Sequence, residues 1–452
     1  MKKTILRRAA LAAAISTTSS GAMAAGFYLN ETSISGLGRA FAAENTVGDN
    51  AAILARNPAG SALFDTITLS GGVIYVNPEI DAEGDVTYFA APDTPIATLS
   101  DQKATDYAPT AWVPNAYLAV PFNENWSFGL AMYSNYGLET DFDSDWPVTT
   151  IADKTELLTV NIAPSVAYDF NDQFSIGFAV NFLYADATLK TMVPTNFGLN
   201  PTVAGADILS YDDADDWEVS WTIGALWNIT DRTRFGISYH AELDPELEGD
   251  VNSDLVPLPL SPFNDAKGKV TLDLPDTLEL GLYHRFNENW GLALGALWTD
   301  WDDFERLEAF IPAGGEGFNP LLFKEENFQS GWRYSIAGEY YPCEEVTLRI
   351  GYAYDEGAAR DGFNTGDAAA NAYGLPITWR TLSIPDTDRN WVTIGGTYKF
   401  NNQLSIDGGL AYLWGDDETI QEFTTVPAPT YFDGGTTNIE AWLAGVSLNY
   451  AF

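Results

Sequence analysis

Residues 217–228 read WEVSWTIGALWN, and this stretch indicates the fold of the chain. Every second side chain is apolar or aromatic, from Trp217 through Trp221 to Trp227, and most side chains between them are polar or small. A period of two residues is that of a β-strand. The outer tryptophans are ten residues apart, which corresponds to roughly 23–25 Å along the membrane normal in a strand tilted by about 40–45°. That is the height of the lipid-facing band of an outer-membrane barrel.

The same alternation recurs in residues 290–298, 404–414 and 442–452, and the last of these ends on an aromatic residue, Phe452. A soluble β-sandwich also alternates, but it does not carry aromatic residues at both ends of so many apolar faces. Beyond residue 24, no run of 18 consecutive apolar residues predicts a transmembrane helix. The sequence therefore predicts an all-β protein that crosses the membrane as a β-barrel.

A near-repeat predicts the number of strands. FNENW occurs at residues 122–126 and 286–290, FNDQF at 170–174 and FNNQL at 400–404, with looser versions at 228–235 and 341–348. Each is a short polar turn of the periplasmic kind between two alternating segments. Six such turns, with both termini in the periplasm, predict 14 antiparallel strands. The longer stretches between paired strands are predicted to be external loops, at residues 77–111, 135–154, 188–213, 243–269, 302–329, 356–388 and 415–438.

Charge and cysteine content exclude several classes of function. The chain has 63 acidic and 22 basic residues, a formal net charge of −41, so a nucleic-acid partner is excluded. One cysteine, Cys343, permits no intramolecular disulfide. The first 24 residues combine a basic start, an apolar run and the small-residue motif Ala22-Met23-Ala24, which is typical of a secretory signal peptide. We expect a signal peptide at residues 1–24, an N-terminal hatch at 25–66 and a transmembrane barrel at 67–452.

The predicted hatch shows no sustained alternation, yet it is too apolar to be a disordered tail. Helical patterns lie around residues 34–43 and 50–55, and Asn57-Pro58 is expected to end the second of them. Such a segment cannot form a domain alone, so we expect a partly helical plug in the barrel lumen, whose inner faces are mostly small or apolar. Arg39 and Arg56 are expected to bind lumenal carboxylates such as Asp407.

The residues of the hatch also carry a family resemblance. AGFYLNE, SGLGRAFA and RNPA in residues 25–59 resemble the hatch of the long-chain fatty acid transporter (FadL) family of Gram-negative outer membranes. LDLPDTLELG at 272–281, SIPDTDRNW at 383–391 and AWLAGVSLNYAF at 441–452 extend the similarity along the chain. The resemblance implies a monomeric 14-stranded barrel in contact with outer-membrane lipids and lipopolysaccharide. It also implies passive uptake without a cofactor, through an external groove, a lumenal pocket, hatch movement and lateral release into the bilayer.

The resemblance further implies roles for individual residues. Phe27 matches the aromatic residue of the tight pocket, and Asn57, Pro58 and Ala59 match the hatch motif tied to gating. The chain departs from the family after Tyr184, where Ala185-Asp186-Ala187 stand in place of basic residues. Three cations are candidates for meeting a substrate carboxylate: Lys190, Lys324 and Arg333. Long-chain fatty acids are the expected substrate, with neutral hydrocarbons or monoaromatics and a general porin as alternatives.

An enzymatic role is not expected. Ser238 and His240 lie two residues apart on one strand, as a nucleophile and its base could. The alternation of apolar residues around them points both into the lumen, whereas outer-membrane phospholipases place such a pair at the lipid interface. His284 is isolated and Cys343 lies in a predicted turn, so no metal-ligand spacing is present.

Overall fold

A computed structural model describes residues 26–255, 263–310 and 322–452. The predicted signal peptide lies outside these residues and stays a prediction. Two α-helices are present among them, α1 (Ile34–Leu37) and α2 (Ala368–Tyr373), with 3-10 helices at Ala51–Ala55, Pro58–Leu63 and Trp301–Asp303. In the part of the chain that the structure describes, no helix is long and apolar enough to cross a membrane.

The strands follow one another along most of the chain. They are β1 (Thr68–Ala91), β2 (Thr94–Ala104), β3 (Ala111–Pro121), β4 (Trp126–Tyr133), β5 (Gly137–Asp141), β6 (Lys154–Asn171), β7 (Phe174–Met192), β8 (Asp207–Thr230), β9 (Thr233–His240), β10 (Glu246–Ser253), β11 (Phe263–Thr271), β12 (Thr277–Arg285), β13 (Trp290–Thr299), β14 (Arg306–Phe310), β15 (Leu322–Glu325), β16 (Gly331–Cys343), β17 (Val346–Asp355), β18 (Arg389–Lys399), β19 (Leu404–Gly415), β20 (Glu418–Thr424) and β21 (Thr430–Ala451).

These strands form one closed antiparallel barrel with fourteen crossings, which we call staves. Seven staves consist of two successive strands or segments: β2 with β3, β4 with β5, β9 with β10, β11 with β12, β13 with β14, β15 with β16, and β19 with β20. The barrel closes where β1 pairs with β21, from Thr68 opposite Ala451 to Tyr88 opposite Thr430. The predicted 14-stranded barrel is confirmed.

All six predicted short turns lie between successive staves, and the near-repeat has a physical cause. Four of the turns carry an asparagine whose side-chain Oδ1 accepts hydrogen bonds from the backbone N–H groups two and three residues later, at 2.8–3.1 Å; these are Asn123, Asn171, Asn287 and Asn401. Such an Asx turn satisfies the main chain where it reverses. The repeated pattern is therefore a local hydrogen-bonding device.

The two faces of the wall agree with the alternation in sequence. Trp217 and Trp227 are 46% and 49% exposed on the outer face, where they would contact lipid. Ser220 and Thr222, on the opposite face of β8, are buried in the lumen. The buried core of the protein therefore lies inside the barrel, between the wall and the hatch.

Much of the polypeptide predicted as external loops is instead β-structure. β1 continues to Ala91 and pairs there with β2 on one side and with β21 on the other. Extending the hairpins pairs backbone N–H and C=O groups that a loop would leave to water. It also buries alternate side chains such as Tyr88 and Phe432 in an apolar cluster beyond the membrane. The acidic and glycine-rich composition of these segments concealed their two-residue period.

The hatch, residues 26–66, lies in the lumen and differs from the predicted helices in two ways. The first helix ends at Leu37, because Ala40, Phe41 and Ala43 adopt left-handed backbone conformations and fold the chain back on itself. The helix expected at residues 50–55 is a 3-10 helix that ends before Asn57, and a second 3-10 helix, which was not predicted, follows it. Asn57 caps this second helix, and Pro58 lies in its first turn. Proline suits that position because its nitrogen has no N–H to satisfy.

Candidate functional site

The Asn57-Pro58-Ala59 motif packs directly on the backbone of the wall. Gly177 of β7 lies opposite Gly224 of β8 in the register of the two strands. A Cβ atom at either position would lie 2.1 Å from the Ala59 nitrogen or 2.0 Å from Asn57 Oδ1, so only glycine admits the motif. The Asn57 side chain accepts the Ala59 N–H at 3.0 Å and donates to the carbonyl of Ala225 at 3.2 Å. The motif thus fixes the turn between the two 3-10 helices against the wall.

The wall is interrupted where the start of the hatch touches it. Between β4 and β5, residues 134–136 leave the ladder with β6, which has two residues over the same interval. This is a β-bulge. The hatch supplies the missing pairing: Leu29 N–H donates to the Asn135 carbonyl and Gly137 N–H to the Phe27 carbonyl, both at 2.9 Å.

Phe27 lies at the centre of a buried aromatic cluster, which we define as Phe27, Tyr136, Trp301, Phe304 and Phe328. The ring of Phe27 is 4.6 Å from that of Trp301 and 5.2 Å from that of Phe304, centroid to centroid, both edge-on. Just before it, Gly26 N–H donates to Asp386 at 3.1 Å, and Asp386 is paired with Arg389 at 3.0 Å. Phe27, the aromatic residue predicted to line the pocket, is therefore held both by its ring contacts and by the backbone hydrogen bond of the residue before it.

Two of the three predicted cations meet in one cleft. Lys190 and Lys324 line one small cleft at the outer end of the lumen, together with a third lysine, Lys154. The remaining lining is apolar or carries a hydroxyl group: Ile151, Thr155, Leu189, Thr191, Leu209, Leu307 and Ser383. We call this site the lysine cleft. Leu189, Leu209 and Leu307 belong to the same continuous apolar cluster as Phe27, so packed apolar side chains connect the cleft to the aromatic cluster.

Each lysine of the cleft has an acidic partner. Lys154 lies 2.9 Å from Glu156 and 3.2 Å from Glu139. Lys190 lies 3.3 Å from Asp212, and Lys324 lies 3.4 Å from Glu422. A carboxylate entering the cleft would therefore exchange with side-chain carboxylates for the same ammonium groups. Sequence reasoning missed Lys154, although its position two residues before Glu156 on one strand face placed a cation and a carboxylate together.

The third predicted cation, Arg333, lies elsewhere, at the boundary of hatch and wall. Its guanidinium carbon is 5.6 Å from the ring centre of Phe41 and 5.3 Å from that of Trp391. Arg333 Nη2 donates to the carbonyl of Ala40 at 3.0 Å. The three predicted cations therefore do not form one site.

The prediction that Arg39 and Arg56 bind Asp407 is wrong. Arg39 lies 3.1 Å from Glu339 of β16, and Arg56 lies 3.9 Å from Glu279 of β12. Asp407 instead accepts a hydrogen bond from Asn50 at 3.2 Å. The general idea of arginines tying the hatch to the wall is correct, but sidedness alone could not identify their partners among many acidic residues.

Ser238 and His240 point into the lumen, as predicted, and both hold the hatch. Ser238 accepts a hydrogen bond from Asn45 at 3.2 Å, and His240 Nε2 lies 3.0 Å from the carbonyl of Arg56. Ser238 is buried and His240 is half-buried, both on the lumenal side of the wall, so neither side chain is available to an external lipid. Among the residues described, no group of three or more His, Cys, Asp or Glu side chains could hold a metal ion.

The closed barrel and its lumenal hatch agree with comparisons to known proteins. Residues 15–452 match the family described as outer membrane protein transport protein (OMPP1/FadL/TodX). The chain belongs to the FadL family. Its relatives include the long-chain fatty acid transport protein of Salmonella typhi, 32% identical with 100% of both chains covered. Outer membrane protein P1 of Haemophilus influenzae is 31% identical with the same coverage.

Solved structures show the same fold. A FadL homologue of Pseudomonas aeruginosa superposes with a TM-score of 0.79 at 23% identity, covering 95% of this chain and 100% of that one. The toluene transporter TbuX of Ralstonia pickettii gives 0.60 at 17% identity, covering 92% and 98%. This FadL-family protein is thus an outer-membrane transport channel for hydrophobic compounds in a Gram-negative bacterium, and it is not an enzyme. Family membership also removes the general-porin alternative.

Proposed function

We propose that this channel carries long-chain fatty acids, binding the carboxylate in the lysine cleft and the start of the tail in the apolar cluster around Phe27. The observation that supports this most directly is the cleft itself: three lysine residues line it beside a continuous apolar cluster. A neutral hydrocarbon offers nothing for three lysines to bind, whereas a carboxylate accepts charge-assisted hydrogen bonds from them. The full-length relatives named as long-chain fatty acid transport proteins, at about 31–32% identity, agree with this substrate.

Release is proposed to be lateral, through the wall at residues 134–136. There the wall lacks its own ladder and is completed by the backbone of residues 27–29. Withdrawal of this segment would uncover the bulge between β4 and β5. An apolar tail could then enter the bilayer without crossing water, so concentration difference alone would drive transport. Asn57, Pro58 and Ala59, fixed on the wall, are proposed to hold the remainder of the hatch during this movement, and the protein is proposed to act as a monomer among outer-membrane lipids and lipopolysaccharide.

The test compares oleate with oleyl alcohol and toluene in cells that lack their own transporter. Lys324→Gln and Lys190→Gln should each weaken oleate binding by about tenfold, since a hydrogen bond to a charged group contributes about 1.5–3 kcal/mol. The matched control is Lys103→Gln, an exposed outer lysine that also pairs with a carboxylate, Asp81, at 3.0 Å but lies outside the cleft. It should leave oleate binding unchanged.

One observation favours a neutral substrate as the second candidate. Every lysine of the cleft already has a carboxylate partner, and a neutral long-chain molecule would leave these ion pairs intact. If oleyl alcohol or toluene enters as fast as oleate and the lysine variants change none of them, the cleft is not a carboxylate site and the fatty-acid proposal is rejected.

A further inference from the structure

We propose that residues 380–388, which we call the strap, form an outer gate of the channel that the carboxyl groups of Glu326 and Glu422 hold closed. The strap is the last part of the connection between β17 and β18, so the gate is separate from the hatch. The inference goes beyond the proposed function and does not depend on it, because a fatty acid and a neutral hydrocarbon would meet the strap alike.

The strap crosses the mouth of the barrel. The carbonyl of Ser383 accepts a hydrogen bond at 3.2 Å from Thr140 of β5, and its hydroxyl lies 2.5 Å from the Nζ atom of Lys324 of β15. Counted from β1, β5 belongs to the third stave and β15 to the tenth. Staves seven places apart in a barrel of fourteen lie on opposite sides. The strap therefore joins opposite sides of the wall through one residue.

The strap also separates two buried apolar clusters. Leu382 packs in the cluster beyond the membrane, together with Tyr88 and Phe432. Ile384, only two residues later, packs in the cluster that contains Phe27. A hydrophobic molecule that moves from the outer cluster towards Phe27 therefore has to displace the strap.

Two carboxyl groups of the wall hold neighbouring residues in the middle of the strap. Glu422 of β20 accepts the N–H of Leu382 at 2.7 Å. Both carboxyl oxygens of Glu326, the residue directly after β15, lie near the hydroxyl of Thr381, at 3.3 and 3.4 Å. The middle of the strap is thus held through side chains whose charge can change.

The two carboxyl groups have one cation in common. Lys324 lies 3.4 Å from Glu422 and is also the positive charge that acts on Glu326. Glu326 is completely buried, and Glu422 is nearly so. Burial of a carboxyl group beside a second one favours the protonated form. Burial, with a smaller contribution from Glu422 and against the effect of Lys324, raises the pKa of Glu326 to about 8.

The two ends of the strap are held by ion pairs that include arginines. At one end, Arg380 lies 3.3 Å from Glu418. At the other end, Asp386 lies 3.0 Å from Arg389 and accepts the N–H of Ala359 at 2.9 Å. Because guanidinium groups stay ionised, these contacts keep their attraction when Glu326 loses its proton. The middle of the strap can therefore lift while both ends stay in place.

The direction of the pH effect follows from the two states of Glu326. In the lifted strap this carboxyl group meets water and has the usual pKa of 4.5, whereas in the closed strap its pKa is about 8. The closed state thus binds the proton more tightly. Closure is strongest below about pH 4.5, weakens as the pH rises to about 8 and changes no further above that. The gate therefore opens towards alkaline pH.

The test uses full-length protein in proteoliposomes, with oleyl alcohol as a probe that does not ionise. Wild-type transfer should rise at least about fivefold between pH 7 and pH 8.5. Glu326→Gln can still bind the Thr381 hydroxyl but has no proton to lose, so its transfer should stay slow over this range. The matched control is Glu325→Gln, because Glu325 accepts a hydrogen bond from Asn364 at 2.6 Å. This variant should keep the wild-type pH dependence.

A flat wild-type profile, or an undiminished rise in Glu326→Gln, would overturn the proposal. A second measurement needs no variant: hydrogen exchange at the Leu382 amide, corrected for intrinsic rates, should accelerate over the same pH range. Exchange that does not depend on pH would reject the strap as the gate, even if transfer rises. The oleate test of the lysine cleft is separate, so either proposal can fail while the other stands.

Discussion

The outer end and the periplasmic end of the hatch are held in the barrel by different kinds of contact. The N-terminal segment, residues 26–32, is held by main-chain pairing with the bulge and by ring contacts of Phe27. The hatch base, which we define as Arg39, Glu44 and Asp49, is held by buried ion pairs to Glu339 and Arg349. Aromatic contacts can be replaced by an apolar ligand, whereas buried ion pairs cannot.

This difference assigns different mechanical roles to the two ends. A substrate tail can take over the ring contacts of Phe27, so release of the N-terminal segment costs chiefly its main-chain hydrogen bonds to the bulge. Releasing the base would leave charges unpaired in a medium that solvates them poorly. The base lies near the periplasmic turns, since Glu339 and Arg349 are close to the turn between β16 and β17. We expect the base to stay fixed and close the lumen while the segment moves.

The largest expected effect comes from breaking the base. Arg39→Ala removes the shared partner of three carboxylates and should destabilise hatch seating by about 3–5 kcal/mol, as loss of one member of a buried ion pair does. The measurement is conductance in planar bilayers, where the variant should open as an ion-conducting pore. Arg232→Ala, at an exposed pair with Glu288, is the control and should stay closed. A silent Arg39→Ala channel would show that the ion pairs do not hold the hatch.

Phe27→Ala tests the other end. Removing a buried phenylalanine costs about 3–5 kcal/mol, and here the cost should fall on the N-terminal segment alone. Hydrogen exchange of residues 26–32 should become fast, oleate affinity should drop, and conductance should stay at the wild-type level. Phe122→Ala, in an exposed turn, is the control. If Phe27→Ala opens an ionic pore, the two ends are not independent.

The seating of the N-terminal segment should also depend on pH. Burial raises the pKa of Glu31, a hatch residue outside the crossing strands, to about 7 from the usual 4.5. The seated segment thus binds the proton more tightly than the released one, so its seating weakens as pH rises from about 4.5 to 7, by at most about 3 kcal/mol. Above pH 7 the effect should level off.

Hydrogen exchange of residues 26–32, corrected for intrinsic rates, measures this pH effect. Glu31→Gln should abolish the pH dependence in the segment and leave the base unchanged. The pKa of Asp49 in the base is lowered by Arg39 and Arg349, despite its burial. Asp49 therefore stays ionised over the same range, and a pH-dependent loosening of the base would contradict the assignment of roles.

The smallest expected effect concerns the contact of the Asn57 motif with the wall. Gly224→Ala places a Cβ 2.0 Å from Asn57 Oδ1 and should cost about 1–3 kcal/mol by overpacking. The result should be a lower melting temperature of the hatch and slower oleate uptake. Gly408→Ala is a matched control because a Cβ there meets open space. Equal behaviour of both variants would mean that the Asn57 contact is dispensable.

The sequence predicted the barrel well because its information is local. Alternation of side chains and short turns such as 122–126 determine strands and their number, and each can be seen within about ten residues. The extended outer hairpins were missed because their pairing joins distant segments, such as Asp81 with Thr437. Composition there favoured loops, while tertiary pairing and burial of Tyr88 favoured strands.

The site was predicted less completely for the same reason. Phe27 and Asn57 could be found because they lie in a recognisable hatch segment, but the meeting of Lys154, Lys190 and Lys324 depends on three separate strands. Two of the stretches that resemble the family also contain residues that contact the hatch. Residues 383–391 contain the Asp386–Arg389 pair that holds Gly26, and residues 272–281 contain Glu279, which lies 3.9 Å from Arg56 of the hatch.

The asparagine-capped turns leave the outer hairpins free to change in sequence. Each cap fixes its reversal through bonds made within four residues, such as Asn287 to the N–H groups of Asn289 and Trp290. Strand alignment is thereby specified from the periplasmic side, independently of the residues at the opposite rim. The outer hairpins can accordingly vary in sequence or accept inserted peptides while the barrel keeps its strand alignment, which makes this protein a suitable scaffold for surface display.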